Sequence, residues 1–449
     1  MPSSRPLVDH RLQGRSRLMN ILVISSYFGP ETSVGVLRIN AFVKYWSRLG
    51  HQVHVVTMPY AGELPTGLRD NPNVTVHQVA PFLIGGRQSG GVQGYSKGAK
   101  GKLRKLINFQ YWIKRKFLSN YLDPRVLWWP RAANFVCKQL TPSIKFDFLI
   151  STVPSYTAHS AAAAVKFFNK DIRWVADYRD LWSGNPIFPG CGPVRVFERA
   201  HERLVLSQAD LIVSINEPLI SELTVLHGRN RRYLTVPNGF DDGEVDVFRA
   251  IEVQRQDDEV SIVYAGSILP GLQDPTPLLQ AFKELAMEGK IKPGDLSLRF
   301  YGDYSALENF PLASDPVVQD YVKLCGKVPR QEILQVQRNA DFLLFLGSKP
   351  VASNVGSTTG VVSGKIFEYL ISGTEVMAVG VTDDMLVAEM LQKSASGAHY
   401  GFDVAKLKQR LLDSMASGGE KVEPNMSYLD QFRRSVQAES LINQVKNLM

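Results

Sequence analysis

The sequence predicts an α/β protein of two doubly wound domains, each a parallel sheet covered by helices. Three observations predict it. Short, continuous apolar runs recur along the chain, as expected of strands buried on both faces. Each is followed by a loop of small residues and then an amphipathic stretch, the order of a βαβ unit. The series breaks at PNGFDDGE and the charged EVQRQDDE, then begins again, and 449 residues are too many for one core.

Residues 1–18 have charge but no apolar centre, so they read as a disordered tail rather than a secretory signal. Ile21–Ile24 is the first buried strand, followed by a glycine-containing loop and a helix over Arg38–Leu49 with Gly50 as its C-cap. Gln52–Thr57 completes the first βαβ unit. Residues 85–101 are rich in Gly, Ser and Gln and read as a mobile loop. Alternation resumes with strands at Phe146–Ser151, Arg173–Ala176, Asp210–Ser214 and Arg232–Val236. Helices are expected at Tyr156–Phe168, Val194–Ser207 and Pro218–Leu226. The first domain therefore spans 19–240 and the linker 241–258. In the second domain, 259–425, strands are expected at Val260–Ala265, Leu296–Tyr301, Val322–Gly326, Asp341–Leu346 and Glu375–Val379. Helices are expected at Pro277–Met287 and Gln331–Asn339, and a long helix over Tyr428–Leu448 closes the chain.

Composition is that of a soluble globular protein, with 44% hydrophobic and 21% charged residues. No apolar run approaches the ~20 residues that span a bilayer. The three cysteines lie far apart, which points to a reducing compartment and to neither a disulfide framework nor a zinc site. Net charge is +8, and residues 97–118 hold a run of Lys and Arg without an acid, interleaved with Tyr111 and Trp112. A basic helix of this kind suits an anionic membrane surface, or packs on its own domain with its charges in solvent. No second basic stripe supports nucleic acid.

Two places concentrate chemistry. The loop GSTTGVVSG, residues 356–364, follows a buried strand and runs into a helix. Backbone N–H groups at Ser357, Thr358, Thr359 and Gly360 are thus available to an anion. Lys365 and Glu368 lie three apart on that helix, one suited to a phosphate and the other to a sugar diol; a solvated surface pair is the plainer alternative. The second place is DYRDLW, which sets Asp177, Arg179 and Asp180 at the end of a strand. A carboxylate there can take a proton or orient a hydroxyl, and a guanidinium can hold a phosphate; a structural brace is the alternative. His159, at a helix start, is a weaker candidate. There is no Ser-His-Asp, HExxH or GxxxxGK[ST] pattern.

These features together resemble the family 4 glycosyltransferases, bacterial surface-polysaccharide type, over nearly the whole chain after Met19. NILVISSYFGPETSVGVLR with LGHQVHVVT is similar to the family's first βαβ unit, and WVADYRDLW, RYLTVPNGFD, VYAGS and KIFEYLISG resemble further segments. The resemblance implies the GT-B fold, two Rossmann-like domains facing a cleft, with the last helix (426–449) crossing back to the first domain. It implies retaining transfer of a sugar from a nucleotide-sugar to an acceptor hydroxyl, such as that of a glycan or lipid-linked glycan, with no metal or other cofactor. It places Glu368 on the ribose, Gly266 and Ser267 beside the diphosphate with Lys365, and Arg330 near the base. Gly35 and Arg38 fall on the acceptor side of the cleft, and Asp177 or Asp180 takes the place of the family's histidine. Two departures stand out. The first glutamate of the family's E-x7-E pattern is Gly360, and the loop after Gly266, SILPGLQDP, lacks the usual Arg/Lys pair. A non-catalytic binding subunit, or a nucleotide-sugar epimerase or hydrolase, are the alternatives. The expected location is the cytoplasm, peripheral to the inner face of the membrane.

Overall fold

The structure, a computed structural model, describes residues 17–30, 34–81, 127–153, 156–185, 191–254, 259–269, 271–303, 305–348, 362–417 and 421–448. The first sheet contains β1 (Asn20–Ile24), β2 (Gln52–Thr57), β3 (Val74–Gln78), β4 (Phe148–Thr152), β5 (Arg173–Tyr178), β6 (Leu211–Ser214) and β7 (Tyr233–Thr235). Its order is β3-β2-β1-β4-β5-β6-β7, and every pairing is parallel. The second sheet contains β8 (Val260–Ala265), β9 (Leu296–Tyr301), β10 (Val322–Gly326), β11 (Phe342–Leu346), β12 (Glu375–Val379) and β13 (Gly397–Gly401). Its order, β10-β9-β8-β11-β12-β13, is again all parallel. In both sheets the order reverses beside the first strand, at β1/β4 and β8/β11. Open α/β sheets bind ligands in the crevice at such a reversal, outside the carboxyl ends.

Central strands are buried throughout because helices cover both faces. FLIST of β4 and FLLFL of β11 have no exposed residue. In the first domain the longest helices are α1 (Val34–Arg48), α2 (Thr157–Phe168), α3 (Gly192–Leu206) and α4 (Glu217–His227). Next, α5 (Asp242–Ala250) leads into the second domain, with α6 (Thr276–Met287), α7 (Arg330–Asn339), α8 (Lys365–Ile371), α9 (Leu386–Ser394) and α10 (Val404–Ser417). The last helix, α11 (Arg434–Lys446), returns to the first domain. Its Ala438, Leu441, Ile442 and Val445 are buried with Phe42 and Trp46 of α1, and Trp46 Nε1 donates to the Ala438 carbonyl at 2.8 Å.

Three differences from the sequence reading have physical causes. The expected linker, 241–258, contains α5, whose capping box joins Asp241 and Glu244; the D-x-x-E spacing was the signal. The closing helix breaks before Arg434, where Arg433 is extended and pairs with Phe240. Strands β3 and β13 are short edges, one polar and one opened by glycines, so their apolar pattern is faint. The basic segment 97–118 lies outside the described residues.

The chain crosses between the domains twice, and the crossings touch. Phe240 N–H donates to the Phe432 carbonyl at 3.1 Å and Arg434 N–H to the Phe240 carbonyl at 3.1 Å. A Cβ on Gly239 would stand 1.9 Å from the Phe432 oxygen, so only glycine fits there. Gly239→Ala should lower stability by ~1–3 kcal/mol, the usual cost of overpacking. Chemical denaturation would check this; an unchanged midpoint would mean the crossing adapts freely.

Candidate active site

Asp177 ends β5 and is fully buried. Its oxygens accept from Arg38 of α1, Nη2 at 2.9 Å and Nε at 3.3 Å, and from the Thr152 hydroxyl at 2.8 Å. Arg38 is itself 4% exposed and also donates to the Pro237 carbonyl at 2.7 Å. The expected roles change accordingly. Asp177, a catalytic candidate, and Arg38, a cleft-lining candidate, form a buried brace. Both partners are consumed by it because an unpaired charge at that depth would be costly.

Arg179, two residues on, has a different setting. Its Nε donates to the Val153 carbonyl at 2.6 Å, and its guanidinium lies against the Cα of Gly35. A Cβ at Gly35 would meet Nη1 at 1.9 Å, so Gly35 is what admits the arginine to the start of α1. Burial pushes the Arg179 pKa down, while Asp180 and then Asp177 pull it back. Asp180 is exposed beside it. His159 is fully buried, with Nδ1 2.7 Å from Ser151 Oγ. Burial pushes its pKa down to about 3, so it stays neutral at physiological pH and is no proton carrier.

On the second domain, α8 is docked on the end of β8. The Ala265 N–H donates to the Tyr369 hydroxyl at 3.0 Å, and Tyr369 is fully buried. This sets Lys365 over the loop. Its ammonium lies 3.9 Å from the centre of the Tyr264 ring, and a Cβ on Gly266, which has φ +123°, would stand 3.1 Å from it. Lys365 Nζ is buried and has no hydrogen-bond partner among the described residues. Burial pushes its pKa down from 10.5 to about 8, against the pull of Glu368. Ser267 is exposed in the same loop.

Glu368 is part of a network that the sequence did not reveal. It accepts from Gln337 Nε2 at 2.6 Å and forms an ion pair with Arg330, which also reaches Glu244 of α5 at 2.9 Å. Arg330 and Glu368 were both expected at the donor site, and the structure joins them directly. Gln337 and Glu244 were missed because their contacts cross three separate helices, for which sequence spacing holds no signal. Ser357, Thr358, Thr359 and Gly360 lie outside the described residues. Between the domains, Ile215, Asn216 and Pro237 face Phe367, Met390 and Phe432 across a small apolar cavity of about 40 Å³. Among the described residues no three His, Cys, Asp or Glu side chains are grouped as metal ligands, and no helix is long and apolar enough to cross a membrane.

Residues 36–239 match the model of the glycosyl transferase 4-like domain. The described residues of both domains have the fold of GT-B glycosyltransferases. Similar solved structures include a glycosyltransferase from Rickettsia africae, 12% identical, TM-score 0.55, covering 96% of this chain and 98% of that one. Another is the sucrose-phosphate synthase of Thermosynechococcus elongatus, 13% identical, TM-score 0.59, covering 96% and 99%. A third is the lipopolysaccharide outer core galactosyltransferase WaaB, 12% identical, TM-score 0.54, covering 96% and 100%. No curated protein matches this chain in sequence.

The buried ammonium has a measurable consequence. Lys365 loses its proton at about 8 in the fold but at the ordinary 10.5 when unfolded, so the unfolded chain binds more protons between these values. Stability contributed by this site therefore rises with pH across that window. Lys365→Met should stabilise the unliganded protein by about 3 kcal/mol or slightly more near neutral pH, at ~1.4 kcal/mol per pKa unit. The gain should shrink to nothing by the upper end of the window. Denaturation curves near pH 7 and pH 10.5 check this; a destabilised variant at neutral pH would contradict it.

Proposed function

We propose that this protein is a glycosyltransferase that moves a sugar from a nucleotide-sugar, held by the second domain, to an acceptor hydroxyl at the first, with retention of configuration and without a metal. The observation that carries the reading is Lys365. An ammonium that is buried, has no hydrogen-bond partner among the described residues and is set against a left-handed glycine loop is a site suited to an anion. A diphosphate at Gly266 and Ser267 would restore the charge balance. It would also gain negative charge as the sugar leaves, which a preorganised cation stabilises in the transition state.

Glu368, one turn along α8, has the acceptor oxygens that a ribose diol needs, once Arg330 yields them. Arg330 is half-exposed and keeps Glu244 as a second partner, so the exchange leaves neither charge stranded. Across the cleft, Arg179 and the exposed Asp180 are the groups of the DYRDLW segment suited to substrate, Arg179 for a phosphate and Asp180 for a hydroxyl. Cleft closure would then exclude water and favour transfer over hydrolysis. The acceptor fitting this reading is a cell-surface glycan or its lipid-linked precursor, met at the inner membrane face. A nucleotide-binding subunit without catalysis is the second reading, favoured by the engagement of Glu368 with Arg330 and Gln337.

Thermal-shift measurements against UDP, GDP, dTDP, ADP and CMP test the donor site. One nucleotide at 100 times its dissociation constant should add about 2.7 kcal/mol of stability. The response should vanish in Glu368→Ala and in Lys365→Met. With the matching nucleotide-sugar, product that requires an acceptor and is insensitive to EDTA supports transfer. Product without acceptor means hydrolysis or epimerisation, and binding without turnover supports the second reading. No response to any nucleotide would sink the proposal.

A further inference from the structure

The outer face of α3 takes no part in the cleft. This helix contains two carboxylates, Glu198 and Glu202, and both are turned inward at 1% exposure. Arg199 and Arg203 are exposed on the opposite side, together with Val196 at 70% and Leu204 at 71%. On the neighbouring α4, Val225 is 84% exposed. Arg203 Nε donates to the Leu226 carbonyl at 2.9 Å, which ties the two helices together at this end.

The same end opens on a pocket of about 700 Å³, lined by Arg173, Asp210, His227, Arg229, Arg231 and Arg232. Arg231 holds it to α3, donating to the Leu206 and Ser207 carbonyls at 2.7 and 3.1 Å. The one acid of the lining, Asp210, is already matched by Lys166 at 2.9 Å and Arg173 at 3.3 Å. Arg229 and Arg232 are exposed and make no ion pair among the described residues. The pocket lies at the amino ends of β5 to β7, so it is remote from the cleft at the carboxyl ends.

We propose that the α3 face and this pocket dock the protein on an anionic lipid bilayer, with a lipid phosphate in the pocket and Val196, Leu204 and Val225 at the acyl boundary. Arginines alone would suit any polyanion. Aliphatic side chains exposed among them are of no use to nucleic acid phosphates, whereas an interfacial helix needs both. The orientation is productive. Because α3 runs from the end of β5 to the start of β6, a membrane lying along it reaches from the pocket to the rim of the cleft. A lipid-anchored acceptor would then enter without leaving the bilayer. The docking does not depend on the donor reading.

Sedimentation of the full chain with vesicles tests this, using phosphatidylcholine alone or mixed with phosphatidylglycerol. Binding is expected only with the anionic vesicles. Arg229→Glu/Arg232→Glu should weaken it by roughly tenfold or more, given the contribution of each basic residue near a charged surface. Val196→Ser/Leu204→Ser should weaken it several-fold. Because all four side chains are exposed, both variants should keep the melting temperature and the nucleotide response of the parent. Absence of binding to anionic vesicles would overturn the proposal, as would dependence on the arginines alone. So would binding that is lost in Lys114→Glu/Arg115→Glu/Lys116→Glu yet kept in both α3-face variants. RNA binding that needs the arginine pair but not the apolar pair would assign the surface to nucleic acid instead.

Discussion

The ion pair between Arg38 and Asp177 holds the first domain's half of the site in place. Asp177 ends a central strand, Arg38 belongs to the first helix, and Thr152 and Pro237 bring in a second strand and the crossing to the other domain. Four segments far apart in sequence meet on two side chains. Removing either partner would leave a buried charge uncompensated, which is why such pairs are costly to break even where they add little net stability. The position of Arg179 follows from this brace: two residues beyond Asp177, it is delivered to the space that Gly35 leaves open.

The two domains treat charge in opposite ways. In the first, the buried charges of Arg38 and Asp177 neutralise each other within the fold. In the second, the Lys365 ammonium is buried over an aromatic ring with no hydrogen-bond acceptor among the described residues, and the fold bears the desolvation cost. A structural lysine would be expected to pair or to reach solvent. Under the proposed function, one held in this way is preorganised for a charge that arrives from outside.

Glu368 connects α8 to the segment that joins the two domains. Arg330 bridges it to Glu244, a member of the capping box that starts α5 just after the crossing. A ligand that draws Glu368 away from Arg330 would therefore alter a contact of the segment that joins the domains. The coupling is a physical chain of contacts with two possible partners for one carboxylate, the kind of element on which both a ligand and a domain motion can act.

Much of this protein was legible in its sequence because it is local. Continuous apolar runs mark strands buried on both faces, and the helical period marks their covers; each needs only a few neighbouring residues, so the two-sheet architecture and most element positions could be read directly. Lys365 and Glu368 stood out for the same reason, being three apart on one helix. What tertiary structure alone decided is which charges are spent within the fold. Asp177, Arg179 and Asp180 look equivalent in DYRDLW, yet one is consumed by Arg38, 139 residues away, one is admitted by Gly35, and one is left exposed. Likewise the carboxylates and arginines of α3 alternate in sequence, and only packing turns the first inward and leaves the second on the surface. Pairing of distant charges depends on where chain segments cross, and no local pattern encodes that.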